Sequence, residues 1–363
     1  MKISLSLTHN CNLRCKYCYA GEKFQKDMDF QTAKKIVDFA YSITPKDEEI
    51  NFNFFGGEPF LRFEIIKKII SYIESKKTFQ KINYNITTNG TILNDEIIDF
   101  INKHQIKLCI SIDGKKEIHD KNRVDIHGNG TLDLILKNLQ KISQQIEYYQ
   151  VNSVYGEDTI ENLPETFDFL VEKGVKNIHF NPNITQKWHK ESFETITASY
   201  EKIGQKYIEL YKNKKEVSLN LIDSKIILFL KGGYEEKDKC HMGEKEFGFA
   251  PSGNIYPCER LIGDDTNKEM CMGNIHTGFN PFKRCQIVKG RENLNLECQN
   301  CPVKEYCMNW CGCTNFHLTG YPDKMSAMLC HSERAAISVA KKVFLELKEN
   351  ENYINHLISY AYN

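Results

Sequence analysis

Over the first 180 residues, short apolar runs that alternate with polar positions give way repeatedly to longer stretches with helical spacing. Residues 3–7, 50–55, 82–87, 107–112, 149–154 and 177–180 read as strands. Between them, 30–43, 62–75, 95–103, 132–145 and 163–173 read as helices, and in the second of these Ile65, Ile66, Ile69, Ile70 and Ile73 form one apolar stripe. Strands alternating with helices imply parallel βαβ units joined by right-handed crossovers. Six strands are too few for a closed eightfold barrel, so the expected fold class is α/β, a partial (β/α)6 TIM-like barrel over residues 1–183. In such barrels the chemistry gathers at the C-terminal ends of the strands.

The pattern then changes. Residues 184–239 read as a helical bridge in which Tyr200, Ile203, Tyr207 and Tyr211 share one packed face. Residues 240–331 hold glycines, prolines and cysteines with little periodicity. Such a segment is expected to bury little apolar surface and to rely on metal for its fold. A C-terminal helical tail, 332–363, follows, with its main helix over 332–348.

Composition narrows the function classes. The 363 residues carry 48 basic and 48 acidic side chains, so there is no net charge to attract nucleic acid or an anionic membrane. No apolar run approaches the ~20 residues of a membrane span, and the first residues lack the apolar stretch and cleavage site of a signal peptide. The expected location is the cytoplasm. There, fourteen cysteines point to metal or catalysis rather than disulfides. Three fall at Cys11, Cys15 and Cys18, one is Cys109, and ten lie between 240 and 330.

Cys11-Asn-Leu-Arg-Cys15-Lys-Tyr-Cys18 follows the first strand. Three thiolates at this spacing suit three irons of a 4Fe–4S cube and leave the fourth open; zinc would want a fourth protein ligand and a redox pair only two cysteines. The motif resembles the signature of the radical S-adenosylmethionine (SAM) superfamily. The resemblance implies that SAM binds the open iron and is cleaved to a 5′-deoxyadenosyl radical, with the protein holding and orienting it. Tyr17 is then expected near the adenine. Gly56-Gly57-Glu58-Pro59 after the second strand resembles the superfamily's second motif, with Gly57 allowing close backbone approach and Glu58 pairing with the SAM ammonium. Asn89, in Thr88-Asn89-Gly90, follows the third strand. Ser111 and, twelve residues later, Arg123 match a pair that contacts SAM in maturases of this type. Asp113 reads as a turn or capping residue, and Phe180 and Asn181, ending the sixth strand, are expected to flank the adenine.

The second cysteine region runs Cys240-x12-Gly253-x4-Cys258, then Cys298-x2-Cys301-x5-Cys307-x3-Cys311, then Cys330. It resembles the seven-cysteine SPASM domain of peptide- and protein-modifying radical SAM enzymes. That resemblance implies two auxiliary 4Fe–4S clusters, three clusters in all: Cys298, Cys301, Cys307 and Cys330 on the distal one, Cys240, Cys258 and Cys311 on the nearer. The fourth ligand of the nearer cluster is Cys271, Cys285 or Cys313, or is absent so that an iron stays open. A structural zinc domain is the alternative for this region. Cys109, inside a strand, reads as a small buried residue; His241, His317 and His331 are not counted as ligands.

The family's substrates imply a ribosomally made precursor peptide, oxidised by thioether or other side-chain crosslinking. Two alternatives are a formylglycine-forming sulfatase maturase and a non-catalytic iron–sulfur carrier, which would have no need of a SAM-contact set. Sulfatase maturases place an aspartate base where Glu259 stands, so Glu259 is the candidate catalytic base, one methylene longer. The expected electron donor is a low-potential ferredoxin or flavodoxin. Because the barrel strand opens the chain, the precursor is expected to bind the barrel mouth directly or to be presented by a separate leader-binding protein.

Overall fold

A computed structural model describes residues 1–76, 78–290 and 296–362. Its first half reads β1 (Lys2–Ser6), α1 (Phe30–Ile43), β2 (Ile50–Phe55), α2 (Phe63–Ser75), β3 (Ile82–Thr88), α3 (Asp95–Lys103), β4 (Lys107–Ser111), α4 (Lys116–Asn122), α5 (Leu132–Gln145), β5 (Tyr149–Tyr155), α6 (Leu163–Glu172) and β6 (Asn177–Pro182). Then come α7 (Phe193–Lys212), β7 (Ser218–Leu219), α8 (Asn220–Lys231), β8 (Glu246–Phe249), β9 (Asn254–Tyr256), β10 (Gly273–Asn274) and β11 (Gly278–Phe279). The helices α9 (Pro281–Gly290), α10 (Leu296–Gln299), α11 (Gly312–Thr319), α12 (Ala327–Leu347) and α13 (Glu351–Tyr362) complete it. The fold is mixed α/β, with parallel strands alternating with helices. Among the described residues no helix is long and apolar enough to cross a membrane.

The chain packs as two compact units. One comprises Met1–Ser111, Asp120–Tyr149 and Cys240–Glu292; the other Ile112–His119, Gln150–Lys239 and Asn293–Asn363. Packing therefore cuts the chain at other points than the periodicity and chemistry that set the segments 1–183, 184–239, 240–331 and 332–363.

In the first unit β1, β2, β3 and β4 pair in parallel in sequence order. Alternation sorts their side chains: Ile3, Leu5, Phe52, Phe54, Ile86, Leu108 and Ile110 are buried, and the helices bury matching stripes such as Ile66, Ile69, Ile70 and Ile73. The other face is polar. Asn85 donates to Asn53 (2.9 Å) and Asn53 to Ser4 (3.1 Å) along one row of the register. Asp29 and Asn94 cap α1 and α3, each accepting from the backbone N–H three residues on.

The first half of the cysteine-rich region departs from expectation. Residues 246–249 form β8, parallel to β1 with Lys2 opposite Glu246, and β9, β10 and β11 extend the sheet antiparallel. Phe39 of α1 packs its ring on Phe247, Phe249 and Phe279 at centroid separations of 5.4 to 5.8 Å. With Ile255, Tyr256, Leu261, Ile262 and Met272 also buried, this stretch has an apolar core of its own.

In the second unit β5, β6 and β7 are parallel. Tyr200, Ile203, Tyr207 and Tyr211 are all buried on one face of α7, as their spacing indicates. Helix α12 starts at Ala327, five residues before the expected 332, because Ser326 caps it by accepting from Leu329 N–H at 3.1 Å. Cys330 therefore lies in its first turn.

Candidate active site

The loop after β1 carries Cys11, Cys15 and Cys18, and the neighbouring strand ends close around it. Thr8 C=O accepts from Gly57 N–H at 2.7 Å and Asn10 C=O from Glu58 N–H at 3.0 Å. A Cβ on Gly57 would stand 1.9 Å from the Asn10 oxygen, so glycine is required there. Cys11 is buried, accepts from Leu13 N–H at 3.4 Å, and has the Asn89 carboxamide at 3.8 Å. Burial pushes its thiol up to about 11, with the Leu13 N–H opposing; Cys15 and Cys18 lie near enough to add to the rise. Asn89 also donates to Asn12, and Asn12 to Thr91.

Glu58 is fully buried. Its carboxylate accepts from Thr88 Oγ1 (2.8 Å), Asn89 N–H (2.8 Å) and Phe60 N–H (3.1 Å). Burial raises it to about 6, while these hydrogen bonds and the Arg123 charge work the other way. Arg123, itself buried, donates to the Tyr17 hydroxyl at 2.7 Å. Its segment is stitched to the cysteine loop by Arg14 N–H to Val124 C=O (2.7 Å) and Lys16 N–H to Asn122 C=O (3.0 Å). The structure thus brings together Cys11, Tyr17, Gly57, Glu58, Asn89 and Arg123. Ser111 is the last residue of β4 in the same unit. Phe180 belongs to the other unit, with its side chain buried and its backbone clasped by the Asn220 carboxamide. Asp113 is a turn residue, buried, accepting from Val154 N–H.

Glu259 and Cys258 sit in the first unit at the start of β1. Glu259 Oε1 accepts from Lys2 Nζ at 3.3 Å, and Oε2 from Ser4 Oγ at 3.2 Å, with Cys258 Sγ 3.6 Å away. Burial works to raise this carboxyl, but Lys2 and Arg260 overcome it and hold it at about 2. The row Asn85, Asn53, Ser4 ends on it. Tyr19, half-buried and stacked on Phe55, has its hydroxyl pushed up by burial and lies within electrostatic reach of Cys18, Cys258 and Glu259. Neither Lys2 nor Tyr19 carries a sequence signal; a lysine opening a strand and a tyrosine after a cysteine are ordinary residues until the fold sets them against Glu259.

Of the other cysteines, Cys240 falls in the first unit and Cys298, Cys301, Cys307, Cys311 and Cys330 in the second. Burial raises the Cys298 thiol, with Cys330 and Cys301 adding to the rise; Cys307 is raised by burial and Glu333, and also feels Cys330. Cys298 thus lies within electrostatic reach of Cys301 and Cys330, and Cys307 within reach of Cys330. Arg334 donates to Cys301 Sγ at 3.2 Å. A buried ion pair, Lys225 Nζ to Glu333 Oε2 at 2.6 Å, grips the backbone around Cys307: Lys225 donates to Tyr306 C=O and Glu333 accepts from Met308 N–H. Cys313 Sγ is 3.7 Å from Cys311 Sγ, Cys271 Sγ is turned to Gly273 C=O, and Cys285 is exposed. His331 bonds Thr197 and stacks on Phe193.

Among the described residues no three His, Cys, Asp or Glu side chains stand in a group that one metal ion would join. A cube of four irons asks something different, because each cysteine binds its own iron. Three thiols on one loop, with N–H donors aimed at the Cys11 sulfur, and four more thiols beside a guanidinium, fit clusters of that kind. A buried carboxylate and a buried guanidinium beside the first set fit the amino and carboxylate ends of SAM.

The strand–loop arrangement and the three-cysteine loop define a SAM-dependent iron–sulfur enzyme class, and the family model described as the radical SAM superfamily matches residues 5–170. The chain belongs to the radical SAM superfamily. It is 33% identical over 275 residues to an uncharacterized protein of Methanocaldococcus jannaschii, covering 75% of this chain and 87% of that one. It is 25% identical over 330 residues to the cysteine-type anaerobic sulfatase-maturating enzyme of Clostridium novyi, covering 83% and 85%. The solved structure described as native anSMEcpe with bound AdoMet and Cp18Cys peptide superposes with a TM-score of 0.81 at 19% identity, over 96% of this chain and 99% of that one.

Proposed function

We propose that this chain is a SPASM-type peptide maturase that oxidises a ribosomally made peptide by thioether or other side-chain crosslinking. The observation that carries the SAM-dependent part is the meeting of Cys11, Gly57, Glu58, Asn89 and Arg123 in one unit. When bound, SAM and its cluster would supply the radical chemistry for oxidising the peptide. The chain's own residues do the rest. Glu58 would hold the ammonium, Arg123 and Ser111 would hold the carboxylate, and Arg123, by its hydrogen bond to the Tyr17 hydroxyl, would position Tyr17 for the adenine. The Gly57 backbone closes over the loop with no room for a side chain. Cys298, Cys301, Cys307 and Cys330 hold a distal auxiliary cluster. Cys240, Cys258 and Cys311 hold a nearer one, whose fourth ligand is Cys271, Cys285 or Cys313, or is absent so that an iron stays open to the substrate. The electron donor is a low-potential ferredoxin or flavodoxin, and the setting is cytoplasmic.

Glu259 bears on which oxidation occurs. A base that abstracts a substrate proton needs an oxygen directed at the substrate. Both Glu259 oxygens already accept, from Lys2 and Ser4. That supports crosslinking over formylglycine formation. A second reading, formylglycine formation with Glu259 as base, is favoured by the near full-length match to the Clostridium novyi enzyme. Co-expression with a candidate peptide and mass spectrometry separates them. A crosslink removes two hydrogens and keeps every heavy atom; formylglycine from cysteine exchanges sulfur for oxygen. No modified peptide, together with no deoxyadenosine in the anaerobic assay, would overturn both.

A further inference from the structure

Helix α12 brings three residues of its first two turns to the four-cysteine set. Cys330 belongs to the set. Glu333 clamps the Cys307 loop through Lys225 and Met308 N–H. Arg334, next along, reaches the sulfurs: it donates to Cys301 Sγ at 3.2 Å and lies within electrostatic reach of Cys330. Its remaining surface faces water. Lys225 and Glu333 neutralise each other as a close pair, so among the described residues the charge left in contact with sulfur is the guanidinium, opposed by Glu297 beside Cys298. Hydrogen bonds to cluster sulfurs and nearby net charge are what set the reduction potential of an iron–sulfur cluster. A cationic donor favours the reduced form, which carries one more negative charge.

We propose that Arg334 is a positioning residue of the outer shell that raises the reduction potential of the cluster held by Cys298, Cys301, Cys307 and Cys330. The inference rests on the auxiliary-cluster reading above. It gives the distal cluster a defined task, that of holding the electron leaving the oxidised peptide, since a raised potential makes it the better acceptor. The guanidinium fork can bond two sulfurs at once; lysine would keep the charge but meet a single sulfur.

The test uses the full chain with Cys11, Cys15 and Cys18 replaced by alanine, so that only C-terminal clusters contribute. Iron and sulfide are counted first, then a potentiometric titration is followed by electron paramagnetic resonance. The distal signal is identified as the one lost in C298A/C301A. In Arg334→Gln the reduced-to-oxidised ratio of that signal at fixed potential is expected to fall about tenfold, a shift of about 59 mV for one electron. Arg334→Lys should fall between this and the parent. A parent holding no C-terminal iron overturns the cluster reading and this inference together, and is read before any titration. Full iron in Arg334→Gln with an unchanged midpoint overturns this inference alone. Should Arg334→Gln shed iron, Arg334→Lys decides: a lowered midpoint supports the role, an unchanged one rejects it.

Discussion

Glu58 shows what a single buried carboxylate does to the pH response. Its folded value, about 6, stands above the ordinary 4.5 because burial outweighs three hydrogen bonds and Arg123. Between those values the folded chain holds the proton more tightly than the unfolded one, so this group's contribution to stability falls as pH rises from about 4.5 through 6. Binding runs in the opposite sense, because a SAM ammonium pairs with the ionised form. SAM affinity of the reconstituted protein should weaken about fivefold as pH drops from 6 to 5, measured by equilibrium dialysis. Glu58→Gln should bind weakly and lose that dependence across the window. Gly57→Ala is a purely steric test: with the Asn10 oxygen 1.9 Å from the new Cβ, the loop must open, and about four irons should be lost from the count. At this scale the sequence was informative wherever a residue belongs to a local motif. Glu58 and Asn89 follow their strands directly and are read from their neighbours. Arg334 was not legible, because one arginine on an amphipathic helix looks like any solvated cation until the fold sets cysteines under it.

Among elements, the apolar periodicity carried the first half closely, since each strand and helix there is long enough to show its period. α4 was missed because Lys-Glu-Ile-His-Asp-Lys-Asn buries little beyond His119. β8 was missed for a different reason: four residues around a glycine show no period, and the strand exists because β1 and the Phe39 ring receive it. Long-range pairs of this kind, like Lys2 with Glu259, have no local signature. The Lys225–Glu333 pair between α8 and α12 is the element-scale test. Removing one partner of a buried ion pair strands the other charge, so Lys225→Met should cost about 3 to 5 kcal/mol in urea unfolding of the reconstituted protein, and Lys225→Met/Glu333→Met should recover part of it. Equal stability of single and double variants would show that the pair is not coupled.

For the whole molecule, the cysteine arithmetic makes a count. Anaerobic reconstitution should give about twelve irons with matching sulfide, from three four-iron clusters. Replacing Cys11, Cys15 and Cys18 by alanine should remove about four and abolish deoxyadenosine formation, while replacing Cys298 and Cys301 should remove about four and leave SAM binding in place. About four irons together with bound zinc would instead mean a zinc-ordered C-terminal region and no auxiliary clusters.

The pairing of β8 with β1 also sets a timetable for the ribosome. The opening strand leaves the exit tunnel with β2 soon to follow on one side, yet its other edge waits for residues 246–249. At about 5–20 residues per second that edge stays unsatisfied for roughly 12 to 50 seconds of synthesis. An open edge with buried-type side chains is a template for the wrong partner. A nascent chain arrested before residue 246 should therefore be captured by chaperones or aggregate, and one arrested well past 249 should not.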